Sequence, residues 1–175
     1  RDDEDEIEEL RLYRGEGYGM NEPCNDELSE LAMHMKNLEI FFSLYIPSLT
    51  DMQKAVLKKC LVELYQKFHI TWDTDVTKRK PQDFPIFSDL YALVQEKTKT
   101  EKENQVYTDL TMLLYDIAEG ADSFIWNGHT TVSGNSRFTV MDTHALQETG
   151  DNIKRTQYFN ILTYDWEQMS HDREE

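Results

Sequence analysis

Few residues in this chain have types and spacings that could do chemistry. The most suggestive is Asp142, which ends the apolar run Arg137-Phe-Thr-Val-Met with His144 two positions on. A carboxylate at the tip of a buried strand can hold magnesium beside a phosphate, and an Asp–His pair in one loop can move protons. Thr143 follows Asp142, so no second acid adjoins it, and no phosphate-binding Gly-Lys-Ser/Thr sequence occurs anywhere. An Asp in this position then reads as a turn or cap residue. Gly15-Glu-Gly-Tyr-Gly19 lacks the strand before it and the helix within it that a nucleotide loop needs. The histidines His34, His69, His129, His144 and His171 form no pair at metal-ligand spacing. Ser133 and Ser136 flank Gly134 without the pattern of a nucleophile elbow. No autonomous catalytic, cofactor or metal site is expected. Two surfaces remain as candidates for contact with a partner: the basic triplet Lys78, Arg79 and Lys80, and the loop holding Trp126, Asn127 and His129.

The elements that must position these residues are mostly helical. Residues 50–68 carry Met52, Val56, Cys60, Leu61, Leu64, Tyr65 and Phe68 at helical spacing, with Thr50 and Gln53 placed for a capping box. This is expected to be the central helix of a bundle. A preceding helix opens at Asn25 or Asp26 and turns Leu28, Leu31, Met35, Leu38, Phe42 and Tyr45 inward, until Pro47 breaks it. The short connection makes the two an antiparallel hairpin. Trp72 should fold back onto that hairpin. A third helix spans residues 86–96, and residues 97–103 form a charged joint. A fourth covers residues 104–119 with Val106, Leu110, Leu113, Leu114 and Ile117 on one face, and Gly120 stops it.

Thereafter the pattern changes. An apolar triplet and an Asn127-Gly128 turn precede the expected strand 137–142, a loop, and a last helix from Asp151 with Ile153, Tyr158, Ile161, Leu162 and Trp166 apolar. A lone strand cannot satisfy its own backbone and calls for a sheet elsewhere. The fold class is therefore mainly α: residues 1–24 an acidic, glycine-rich linker or arm, residues 25–119 a helical bundle, and residues 120–175 a strand-loop-helix unit. The start at Arg1 inside an acidic run and the end in a charged helix suggest a piece of a longer protein.

A net charge of −16 argues against tracking a nucleic-acid backbone or an anionic membrane. Cys24 and Cys60 fit neither a disulfide scaffold nor a zinc ribbon, and point to a reducing cytoplasm. No apolar run approaches membrane-spanning length.

Several strings taken together carry a resemblance. LAMHMKNLEIFFSLYIPSLTDMQKAVLKKCLVELYQKF, ITWDTD, PIFSDLY, DIAEGADSFIWNGHTT and VMDTHALQETGDNIKRTQYFNILTYDWEQMSHDRE, in this order, resemble the large cytoplasmic ATPase of type IV secretion and conjugative DNA-transfer systems, in the branch found in conjugative elements of Gram-positive bacteria. The resemblance implies a RecA-like P-loop core with a helical subdomain inserted between the phosphate loop and the magnesium strand. This chain would be that insert and the segment returning to the core. It further implies a parent that uses ATP and Mg, assembles as a homo-oligomer, and meets type IV secretion channel components and the coupling ATPase at the cytoplasmic face of the membrane. Asp142 would then end a core strand that is not the magnesium strand, and no nucleotide-contacting residue falls on this chain. Without the resemblance, and apart from the cut ends and the unpaired strand, the residues fit equally a self-contained acidic helical adaptor with no ATPase activity.

Overall fold

The computed structural model describes residues 29–131 and 141–171. Within them the chain is helical, and no strand is present among the described residues. The expected arm 1–24, Leu28 and the strand positions 137–140 lie outside the described residues; Met141 and Asp142 are irregular.

Helix α1, Glu30–Tyr45, starts later than Asn25 or Asp26, because Ser29 is extended and its hydroxyl accepts the Ala32 N–H at 3.2 Å. Its inward residues are Leu31, Met35, Phe41, Phe42 and Tyr45; Leu38 is only partly buried and Phe41 joins the set. Helix α2, Asp51–Lys67, begins with the expected capping box. The Thr50 hydroxyl accepts the Gln53 N–H at 3.2 Å and the Gln53 side chain accepts the Thr50 N–H at 3.0 Å. Met52 does not face inward: it sits in the first turn, beyond the reach of the packed face, and is 63 % exposed. Leu57 occupies the core instead.

The end of α2 sets the next segment. His69 adopts a left-handed backbone with φ 60°, and the Ile70 N–H reaches back to the Tyr65 carbonyl at 2.9 Å. This reversal drives Ile70 into the core with no exposed surface, so Trp72, placed two residues later, stays out at 45 % exposure. Ile70 thus does the packing expected of Trp72.

Two single 3-10 turns, Val76–Lys78 and Pro81–Asp83, lead to α3, Phe87–Thr100. Asp89 caps α3 by accepting the Ile86 N–H at 2.8 Å, and the helix continues through Lys97 to Thr100, shortening the charged joint. Helix α4, Gln105–Ala118, follows with Asn104 as its cap and runs antiparallel to α3. Gly120 ends it. The Gly120 N–H closes on the Tyr115 carbonyl at 3.0 Å, and any Cβ there would come within 2.8 Å of the Asp116 Cα.

Leu90, Val94, Leu110, Leu114 and Ile117, all on α3 and α4, are essentially sealed from solvent. α2 does touch α1, α3 and α4, but the driest part of the core lies between α3 and α4. Each such Leu or Ile contributes roughly 1.5–3 kcal/mol by burial.

A one-turn helix α5, Ser123–Trp126, replaces the expected apolar triplet before a turn. Beyond a 3-10 turn at His144–Glu148, helix α6, Asp151–His171, packs along α1. Thr156 is fully buried and Phe159 packs on the core, whereas Tyr158, Leu162 and Trp166 are exposed. The cause is local: α6 meets the end of α1, where carbonyls lack helical partners, and Asn152 Nδ2 donates to the Tyr45 carbonyl at 3.0 Å. A polar and small face suits that contact better than an apolar stripe.

Cys60 is buried at the α2 core face, and burial, followed by the nearby Glu63, pushes its thiol up to about 11. Native Cys60 is therefore expected to resist iodoacetamide at pH 8 and to label only when denaturant opens the bundle. Peptide mapping checks this, and native labelling of Cys60 as fast as free glutathione would contradict it.

Candidate functional site

Of the two surfaces marked in the sequence, Arg79 from the first and Trp126, Asn127 and His129 from the second line one cleft on the α1 side of the bundle, and the marked residues divide into supports and exposed groups. Arg79 is a support. Its guanidinium donates to the Phe68 carbonyl at 3.2 Å and the His69 carbonyl at 2.7 Å, closing the carbonyl end of α2. Lys78 pairs with Asp75 at 2.8 Å on an exposed turn, a contact that holds its pKa up and stabilises little. Lys80 is exposed, and its backbone N–H is held by Asp83 at 2.9 Å. The triplet is thus not a uniform cationic patch.

Trp126 is also a support. Its ring meets Phe41 and Tyr45 edge-on, with centroids 5.2 and 5.1 Å away, and its Nε1–H donates to Gln157 Oε1 on α6 at 2.6 Å. The Tyr45 hydroxyl donates to Asp122 Oδ2 at 2.6 Å; burial and that carboxylate both raise the Tyr45 pKa. Asn127 ties three elements. Its Oδ1 accepts the Ser88 N–H at 2.9 Å, and its Nδ2 donates to Ser88 Oγ at 2.5 Å and to the Ala118 carbonyl at 3.0 Å. The first turn of α3 and the last of α4 are thereby clasped by one side chain. Replacing Asn127 by Ala leaves the Ser88 N–H without its partner and is expected to cost about 1–3 kcal/mol in urea unfolding. An unchanged midpoint would show that water replaces the clasp.

His129 is exposed at the cleft mouth, opposite His34 on α1. His34 shows one open edge, while its Nε2 lies 2.6 Å from the Tyr65 hydroxyl; desolvation of that end lowers the His34 pKa and raises that of Tyr65. The cleft has a lobe of about 510 Å³ bounded by Phe84, Phe87 and Arg79, and a second of about 610 Å³ running along α6 past Phe159. His34, Phe41, Trp126 and His129 belong to both lobes.

Asp142 does not partner the His144 ring through a described bond. Its Oδ1 accepts the His144 backbone N–H at 2.8 Å, an Asx turn that starts the 3-10 segment. Among the described residues no group of three or more His, Cys, Asp or Glu side chains is placed to hold a metal ion. Ser133 and Ser136 lie outside the described residues. What sequence patterns did not reveal is the His34–Tyr65 bond and the capping role of Arg79. Both join residues far apart in the chain, with no spacing signal to announce them.

A scan of protein-family models gives no match, and no curated protein matches. Among solved structures, VirB4 of Thermoanaerobacter pseudethanolicus matches with 42% identity and a TM-score of 0.79. The alignment covers 86% of this chain and 56% of that one, so this chain spans little more than half the length of its relative. Identity at that level over most of a helical chain reaches beyond a shared architecture, and it follows that the chain corresponds to a part of a VirB4-like protein of type IV secretion.

Proposed function

We propose that the chain is the helical subdomain of a RecA-like P-loop ATPase, with residues 25–119 as the inserted bundle, residues 120–175 as the return to the core, and residues 1–24 as an acidic arm. The observation that carries this reading is the 42% identity to VirB4 across 86% of the chain. The whole protein would hydrolyse ATP with Mg at the cytoplasmic membrane face, as a homo-oligomer, to drive transfer in a conjugative element. This segment would contribute a contact surface for neighbouring subunits, channel components or the coupling ATPase. Its charge of −16 disfavours direct nucleic-acid contact.

Several features support a contact role. Phe124 is 93 % exposed, and Leu162 and Trp166 stand outward on α6. No helix among the described residues is long and apolar enough to cross a membrane. The nucleotide chemistry would belong to the rest of the parent, since Asp142 is engaged in a turn here. The test is a magnesium-dependent ATPase assay on the 175-residue chain and on the longer parent. The parent is expected to turn over and the chain to match a blank. Turnover by the chain that is abolished by Asp142→Ala would overturn the assignment.

A further inference from the structure

Of the asparagines in the sequence, Asn127 alone is followed by glycine. A glycine in that place leaves the next backbone nitrogen unshielded by a side chain, and such a nitrogen can attack the asparagine carboxamide carbon. Nothing in the fold calls for glycine at 128. A Cβ built there meets no atom within 4 Å, and the backbone lies outside the left-handed region. Gly128 is also partly exposed on the cleft, which gives water access to it. The Asn127 side chain, in contrast, is held. Its Oδ1 accepts the Ser88 N–H at 2.9 Å, and its Nδ2 donates to Ser88 Oγ at 2.5 Å and to the Ala118 carbonyl at 3.0 Å. Turning the carboxamide back toward the Gly128 nitrogen breaks these bonds.

We propose that Asn127-Gly128 is a site of spontaneous deamidation, which the clasp holds in check and which, once it has reacted, releases the clasp permanently. The Gly128 nitrogen gives its proton to solvent base and bonds to Asn127 Cγ. The Cγ–Nδ2 bond breaks, and Nδ2 leaves as ammonia. Water then opens the cyclic imide at either carbonyl, giving aspartate or isoaspartate. In sum, one amide and one water become one carboxylate and one ammonium, with no oxidant or reductant. The product cannot rebuild the clasp, because an ionised carboxylate has no proton to donate. An oxygen in place of Nδ2 would stand against the Ala118 carbonyl oxygen, which also accepts the Ser88 hydroxyl at 3.2 Å. Isoaspartate adds a backbone methylene as well. The first turn of α3 and the last turn of α4 then lose their common tie.

The 175-residue chain is incubated at mildly alkaline pH, native and in urea, and the peptide holding Asn127 is followed by mass spectrometry, with isoaspartate separated from aspartate by retention time. Conversion in the native chain is expected to be at least about fivefold slower than in urea, since the clasp must open first. Ser88→Ala removes one of its bonds and should raise the native rate roughly two- to tenfold while leaving the rate in urea unchanged. Circular dichroism under the incubation conditions confirms that this variant is folded; if it is not, the comparison of native and urea rates in the wild type decides. Gly128→Ala should keep the wild-type urea midpoint and slow conversion in urea, and Asn127→Asp should lower the midpoint. Equal wild-type rates in the native and urea samples, or an unchanged native rate in folded Ser88→Ala, would overturn the guarding role. Wild-type stability of Asn127→Asp would overturn the release. None of these readings depends on nucleotide, so they stand or fall apart from the ATPase assignment.

Discussion

Replacing Trp126 by Ala is expected to lower the unfolding free energy by about 3–5 kcal/mol, the range for removing a large aromatic from a packed site. The ring is the wedge where α1, α5 and α6 meet. It loses two edge-on aromatic contacts, to Phe41 and Tyr45, and leaves Gln157 Oε1 without its 2.6 Å donor. Trp126→Phe separates the two losses. It keeps most of the ring packing and removes only the hydrogen bond, so it should cost about 1–3 kcal/mol. Urea unfolding followed by far-ultraviolet circular dichroism measures both. Wild-type stability in the Ala variant would mean that α6 does not dock on α1 through this residue. The consequence for function is practical: a loss of partner binding in Trp126→Ala reports on folding, whereas exposed His129 can be changed without disturbing the bundle.

The second large effect belongs to the α3–α4 interface. Leu110 is fully buried against a core that includes Leu90 and Val94, and Leu110→Ala is expected to cost about 2–5 kcal/mol. Much of that cost comes from the cavity, because α3 and α4 are pinned at one end by the Asn127 clasp on Ser88 and Ala118 and cannot collapse freely. Leu110→Met, which roughly conserves volume, should cost less than about 1.5 kcal/mol. Equal losses for Ala and Met would show that packing at this position is not what holds the hairpin together.

These residues also show which features of the fold can be read from the sequence. Thr50 and Gln53 announce the start of α2 because a capping box needs only two residues three positions apart. Leu110, Leu114 and Ile117 announce the buried face of α4 because one helix face is a local pattern. The stop at Gly120 is local as well. Failures arise where a distant element decides the outcome. Met52, although in register with the α2 stripe, falls in its first turn and is exposed among the described residues. The apolar residues of α6 carry no local signal of direction: Asn152 reaches the Tyr45 carbonyl, a contact 107 residues apart in the chain, and Tyr158 and Leu162 stay exposed. Ile70, rather than Trp72, fills the core because a left-handed His69 reverses the backbone, and histidine gives no warning of a role usually held by glycine.

The candidate contact site divides in the same way. Grouping Lys78, Arg79 and Lys80 by charge concealed that Arg79 caps α2 at the edge of the cleft while Lys78 serves Asp75 and neither lysine lines it. Grouping Trp126, Asn127 and His129 by sequence located one wall of the cleft but concealed that the first two are engaged inward. A string of adjacent residues on a loop alternates between holding the fold and facing solvent, and only the three-dimensional contacts separate those duties.

Sequencing the gene on both sides of this segment tests the central claim most directly. An ATPase subdomain requires a G-x-x-x-x-G-K-[ST] phosphate loop encoded upstream of Arg1 and an apolar strand ending in Asp-Glu downstream of Glu175. That pair of motifs in one reading frame is the predicted result. A start codon immediately before Arg1 and a stop codon immediately after Glu175 would contradict it, leaving a helical interaction module without nucleotide chemistry of its own.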